Sequence, residues 1–286
     1  MIRRRHLSRL RLPLAAVAVA FGLALAAPSV LAKGKQPTKG KTDVPRLDLP
    51  ALKKQLAGSE EDIVAALRTI EESGNVEGAP LVTEVLARGG TEAIVEEALK
   101  AAGKLKSSSL SPSIAPYVQH RTEEIRRAAA RALVKTKGPV AVSTLSKALR
   151  SEDASVRGTA ATGLGELGAR ESIKDLFNAL DHGVAEAAAS IGQLCKPEEC
   201  EEFAGRTGKL TFDVMQTGFD QILFRPATEI SDDDKLKLVG RMRELGTVEV
   251  GKYLTDVGER WPKDWSKKVK QAIDSAAHAA AAGAKK

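Results

Sequence analysis

Aliphatic residues return along this chain at a fixed interval. Ile63, Ile94, Ile125 and Val156 follow one another at 31 residues, and Val184 comes 28 residues after the last of them. Four residues beyond three of these openers stand Ala98, Ala129 and Ala160, with Leu67 in the first unit. Alanine at that point lets two helix backbones approach closely. Three residues before the openers come Thr91, Thr122, Asp153 and Asp181. All are N-cap types, whose side-chain oxygen accepts an otherwise unpaired helix N–H. The first unit departs from this, with Glu60 at the position and Ser59 beside it.

The second half of each unit keeps the same beat. Ile114 and Val118 recur as Leu145 and Leu149, then as Leu176 and Leu180, pairs spaced to lie on one helical face. Breakers divide the halves: Gly74, Ser107-Ser108-Ser109, Gly138-Pro139 and Gly168. Each unit is predicted to be helix, short turn, helix. No stretch after residue 48 alternates in the manner of a half-buried strand, so essentially no sheet is expected. A lone hairpin leaves one side uncovered, and stacking its neighbours closes a continuous core.

One string is specific enough to carry a likeness. Asp153-Ala-Ser-Val-Arg157-Gly-Thr-Ala-Ala161-Thr-Gly-Leu-Gly165-Glu-Leu-Gly168, followed by Ser172-Ile-Lys-Asp-Leu-Phe-Asn-Ala-Leu180, resembles a HEAT repeat of the short bacterial, phycobilisome-lyase-like type. Glu124 to Leu133 and Val184 to Leu194 resemble weaker copies, and 63–86 a weaker one still. The resemblance implies an all-α, right-handed α-solenoid whose second helices line a concave face. It also implies that Arg126 and Arg157 are inter-repeat structural arginines, bonding acids such as Asp153 or Asp181. The bilin-lyase activity of some relatives is not carried over, because fold alone does not give function. HEAT-like repeats are expected over residues 48–200.

Residues 201–278 read differently. Of nine aromatic residues after position 32, seven lie between 203 and 265. Phe212, Met215, Phe219 and Ile222 share one helical face, ending before Pro226. Ser231 to Asp234 reads as a capping box for a helix reaching Leu245, closed by Gly246. Val250 to Val257 looks like its partner, so 231–258 is one more degenerate repeat; Trp265 to Ala277 forms a last helix, and 279–286 a disordered tail. Aromatics gathered at one end suit a cap over the last unit. A partner-binding patch is the alternative, with Trp261 and Trp265 as its exposed pair.

Composition changes the picture in one respect. The chain has 286 residues, 43% of them hydrophobic, 3% aromatic, with two cysteines. This excludes a wholly disordered chain, a disulfide-knotted mini-protein and a cysteine-rich zinc module. The net charge is +7, from 44 basic and 37 acidic side chains. Residues 1–32 hold five arginines and no acid, and 33–48 hold five basic residues against two acids. That leaves 34 against 35, or −1, for everything after. Binding of nucleic acid by bulk charge loses its support.

Those first 32 residues look like an address. A basic stretch to Arg11 precedes an apolar run, Leu12 to Ala27, and Val30 and Ala32 are the small residues of a cleavage site before Lys33. The run is shorter than the roughly 20 residues of a spanning helix. A cleavable signal peptide, a periplasmic or secreted mature chain and no stable membrane span are expected. Residues 33–47, rich in Lys and Gly, are expected to form a flexible tail.

Candidate chemistry is sparse. Cys195 and Cys200 enclose Lys-Pro-Glu-Glu; Pro197 is expected to end a helix there and let the sulfurs meet as a disulfide, with free thiols or a redox role as alternatives. His120, His182 and His278 are dispersed, and Asp232 to Asp234 lacks the spaced ligands of a calcium loop. No nucleophile elbow, phosphate loop or dinucleotide turn appears. No cofactor or metal is expected. The first functional expectation is a non-enzymatic protein-interaction scaffold of the cell envelope. It would bind a protein partner through Ser143, Lys147, Lys174 and Asn178 on the second helices, or through Trp261 and Trp265. A lyase-like or other enzyme using the concave groove is one alternative, and a carbohydrate or peptidoglycan binder another.

Overall fold

A computed structural model describes residues 46–283. The expected signal peptide and nearly all of the expected tail after it lie outside the described residues. The rest folds as helical hairpins, and no strand forms among the described residues. The helices are α1 Leu49–Gln55, α2 Glu60–Ser73, α3 Ala79–Arg88, α4 Glu92–Leu105, α5 Ser111–Ile114, α6 Glu123–Thr136, α7 Gly138–Ala148 and α8 Ala154–Glu166. They continue as α9 Ile173–Asp181, α10 Ala187–Leu194, α11 Pro197–Ala204, α12 Phe212–Leu223, α13 Asp232–Leu245, α14 Val248–Arg260 and α15 Lys267–Gly283. The last helix runs through Gly283, past the point where the sequence places a disordered tail.

Even-numbered helices from α2 to α12 stack side by side as one row; on the other side α3, α5 and α7 follow one another, as do α11, α13 and α15. This is an α-solenoid. Its core is one uninterrupted cluster from Leu52 to Ala277, made chiefly of Ala, Leu, Ile and Val. All four 31-spaced openers are buried, as are Ala98, Ala129 and Ala160. Small residues set the spacing of the even row. A Cβ placed on Gly163 of α8 would lie 2.3 Å from Val134 Cγ2 of α6. One placed on Gly192 of α10 would lie 2.4 Å from the carbonyl oxygen of Gly218 on α12.

Local chemistry explains most helix starts. Ser59 and Asp62 cap α2 reciprocally, the Asp62 N–H donating to Ser59 Oγ and the Ser59 N–H to Asp62 Oδ2. Thr91 caps α4, and Asp153 caps α8 by accepting from the N–H groups of Ser155 (2.9 Å) and Val156 (3.3 Å). Two of the expected caps differ. Thr122 precedes α6 without a side-chain cap bond, and its hydroxyl is turned to the preceding unit, where it donates to the Glu92 carboxylate. Asp181 ends α9 instead of starting α10, which begins only at Ala187.

Candidate functional site

Exposed polar side chains recur on the even row at the same 31-residue interval as the core. Lys100, Arg131 and Thr162 form one line across α4, α6 and α8, and Lys104, Lys135 and Glu166 a second line one turn away. Between them lies a groove of about 700 Å³ that reaches from Glu71 on α2 to Glu186 beyond α8. Its floor is apolar and close-packed: Leu99, Ala128, Ala132 and Val134 are buried, and Gly158 and Gly163 carry no side chain there. The rim is mixed in charge. Lys135 faces Glu166 at 3.9 Å, and Lys100 bridges Glu96 at 2.9 Å and the buried Glu97 at 3.8 Å. Burial pushes the Glu71 carboxyl up, helped by a hydrogen bond and charge repulsion from Glu97 and opposed by Lys100 and Lys104.

The second-helix residues expected to bind a partner sit elsewhere. Ser143 and Lys147 on α7, and Lys174 and Asn178 on α9, are exposed on odd-numbered helices and do not line this groove. Lys147 lines a separate cavity of about 570 Å³, and Asn178 one of about 350 Å³. The even-row lines share the 31-residue spacing of the core, but solvent-facing positions carry no apolar signal to mark them.

Arg126 Nη2 lies 3.4 Å from Asp153 Oδ2, across to the next unit. Its Nη1 also donates to the carbonyls of His120 (3.0 Å) and Arg121 (2.8 Å), closing the loop before its own helix. Arg157 repeats that closure on Ser151 (2.8 Å) and Glu152 (3.0 Å). Asp181 is not its partner. With α10 starting late, Asp181 instead accepts from Arg206 Nε and Nη2 at 2.7 and 2.8 Å, which holds its carboxyl below the ordinary value. Burial resists ionisation of Asp153, yet the N–H groups of Val156 and Ser155, with Arg127 and Arg126, hold it below its ordinary value as well.

Cys195 and Cys200 are both buried, with their sulfurs at bonding distance (1.96 Å) and their Cα atoms 5.2 Å apart. The extended backbone at Cys195 and Lys196 ends α10, and Pro197 starts α11, which turns the second sulfur back onto the first. Arg225 Nη1 donates to the Cys195 carbonyl at 2.6 Å, tying this junction to the loop after α12.

Trp261 and Trp265 are not an exposed pair. Trp261 is buried and Trp265 half-buried, their rings edge to face at 5.3 Å, with Phe224 5.9 Å from Trp261. A buried lysine supplies the reason. Lys235 Nζ lies 4.4 Å from the Trp265 centroid and 5.4 Å from that of Trp261, and it donates to the Arg225 carbonyl. Each ring face attracts that cation, and burial pushes the lysine pKa down. A second aromatic series, Phe203, Phe219, Phe212 and Tyr253, packs ring on ring at 5.4 to 6.3 Å. Among the described residues no helix is long and apolar enough to cross a membrane.

Residues 79–155 and 111–193 match the family described as HEAT repeats. That stretch is built of HEAT repeats, a class of helical solenoid that generally serves as a protein-interaction scaffold. Similar solved structures include the complex of CpcE and CpcF of phycocyanin lyase from Nostoc sp., 17% identical, covering 87% of this chain and 100% of that one, at a TM-score of 0.44. A designed armadillo repeat protein is 14% identical over 82% of this chain and 100% of its own, at 0.40. An engineered protein is 16% identical over 82% and 68%, at 0.46. No curated protein matches the chain.

Proposed function

We propose that this protein is an exported, non-enzymatic scaffold of the cell envelope, and that it holds an extended segment of another protein in the even-row groove. The observation that carries this reading is the pair of polar lines over an Ala/Gly floor, one rung per repeat. Packed helices stand roughly 8–10 Å apart, and an extended chain advances about 3.3 Å per residue. A strand laid across the row therefore meets a new rung about every three residues, which suits a peptide better than a compact substrate. Export is supported by the arginine-led apolar pattern of residues 1–32, and the Cys195–Cys200 pair is at home in an oxidising compartment. The carbohydrate-binding alternative has lost its residues to the packing around Lys235.

A photo-crosslinking residue placed at Thr162 tests the groove in the native host. A discrete crosslinked protein is expected, weakened by Arg131→Glu. No adduct from Thr162, with adducts from an exposed site on α13, would remove the groove from consideration. Sequencing of the exported chain is expected to begin at Lys33.

A further inference from the structure

The repeat architecture makes a cavity at the same place in two successive units. The first, about 570 Å³, lies between the loop before α6 and the end of α7. The second, about 350 Å³, lies between the loop before α8 and the end of α9. Eight of their lining positions match at an interval of 31, among them Val118 answered by Leu149, Arg126 by Arg157, Ala148 by Ala179 and Ser151 by His182. In both, the arginine at the back closes the adjoining loop through its Nη1. That arginine is what the fold needs at this place.

What differs is the charge of the wall. His120 of the first cavity is answered by Ser151, Gln119 by Arg150, Thr144 by Asp175 and Lys147 by Asn178, and the wall of the second cavity has no counterpart of Arg121. Four cationic side chains, Arg121, Arg126, Lys147 and Arg150, therefore line the first cavity against the single carboxylate of Glu152. Arg126 is occupied by Asp153, and Arg150 by Asp175 at 3.0 Å. Neither Arg121 nor Lys147 enters an ion pair among the described residues. The second cavity folds in the same way without them, so their charge answers no demand of the repeat.

We infer that the first cavity is a binding site for an acidic peptide segment, with Arg121 and Lys147 as its free cations and Arg150 at its exit. The two cavities share Arg150 and Ser151 in their walls, so together they form a double recess along the loop edge. A recess of that length suits a short run of chain, its carboxylates in the basic half and polar groups in the half lined by Ser151, Asn178 and His182. A lone inorganic anion would fill only a small part of it. The site lies on odd-numbered helices and their loops, apart from the even-row groove, and stands whether or not the groove holds a partner.

Fluorescence anisotropy tests this on the intact mature chain with three labelled peptides of equal length: Asp/Glu-rich, Ser/Gln-rich and Lys-rich. The acidic peptide is expected to bind more tightly than the other two and to weaken as salt rises. Arg121→Glu with Lys147→Glu is expected to weaken it tenfold or more, and Asn178→Lys to strengthen it by extending the basic wall. Arg131→Glu, in the groove, is expected to leave it unchanged. Arg121→Gln with Lys147→Gln serves if the reversed pair alters the helical circular dichroism. Equal affinity for the three peptides, or unchanged binding in both edge variants, would overturn the inference. So would full displacement of the peptide by an equimolar amount of inorganic phosphate, which marks a site for a single anion.

Discussion

Asp153 shows how much a single side chain does here. It caps α8 through two N–H groups and takes the guanidinium groups of Arg126 and Arg127 at 3.4 Å each, while remaining almost wholly buried. Asp153→Ala is expected to cost about 1–2 kcal/mol of stability at neutral pH, measured by urea unfolding. The folded carboxyl sits below its ordinary value, so this stabilisation is complete above the unfolded pKa and is lost as pH falls through the folded one. The gap between wild type and variant should therefore close on acidification below about pH 4. Gly192 makes the opposite point about size. A methyl group there meets the backbone oxygen of Gly218 at 2.4 Å, which no rotamer change can relieve. Gly192→Ala is expected to cost about 1–3 kcal/mol in the same measurement.

At the scale of elements, the 31-residue beat made α2, α4, α6 and α8 legible because buried aliphatics and small alanines are under the same packing demand in every unit. Where the beat shortens to 28 at Val184, that legibility fails for a physical reason. Val184 is not the counterpart of Val156: 31 residues on from Val156 stands Ala187, where α10 starts, and Asp181, 31 on from Arg150, falls at the end of α9 within reach of Arg206. The partner of Arg157 was misread for the same cause. Thr122 differs for another reason: its hydroxyl is turned toward the Glu92 carboxylate of the preceding unit, and its oxygen accepts from no helix N–H. The α10–α11 junction was readable from Pro197 and the cysteine spacing together. Closing so short a loop contributes about 2 kcal/mol in the chain-entropy model. Cys195→Ser with Cys200→Ser should lose that amount in denaturant unfolding, and reductant should lower the wild type towards the variant without affecting the variant itself.

The whole folded chain is a row of units that touch only their neighbours, and that arrangement separates what sequence could and could not disclose. A periodic core announces itself; a groove or an edge cavity is made of exposed positions, whose lysines and threonines look like any solvated face until the stacking lines them up. Of Ser143, Lys147, Lys174 and Asn178, Lys147 and Asn178 line cavities on the loop edge, and none of the four lines the groove. The C-terminal aromatics were legible as a cluster suited to a cap, yet the packing of Trp261 and Trp265 was not, because nothing in the spacing points to Lys235 as the cation they enclose.

The two tryptophans of the chain both stand in that enclosure, at one extremity of the row. Their emission is consequently a local gauge, blind to helices α1 to α8, whereas far-ultraviolet ellipticity averages over the helices together. In a linear array the extremities melt at their own free energy. During slow heating the red shift of the indole spectrum and the decay of ellipticity at 222 nm should therefore have different midpoints. Superimposable curves would mean that the array unfolds as one cooperative block.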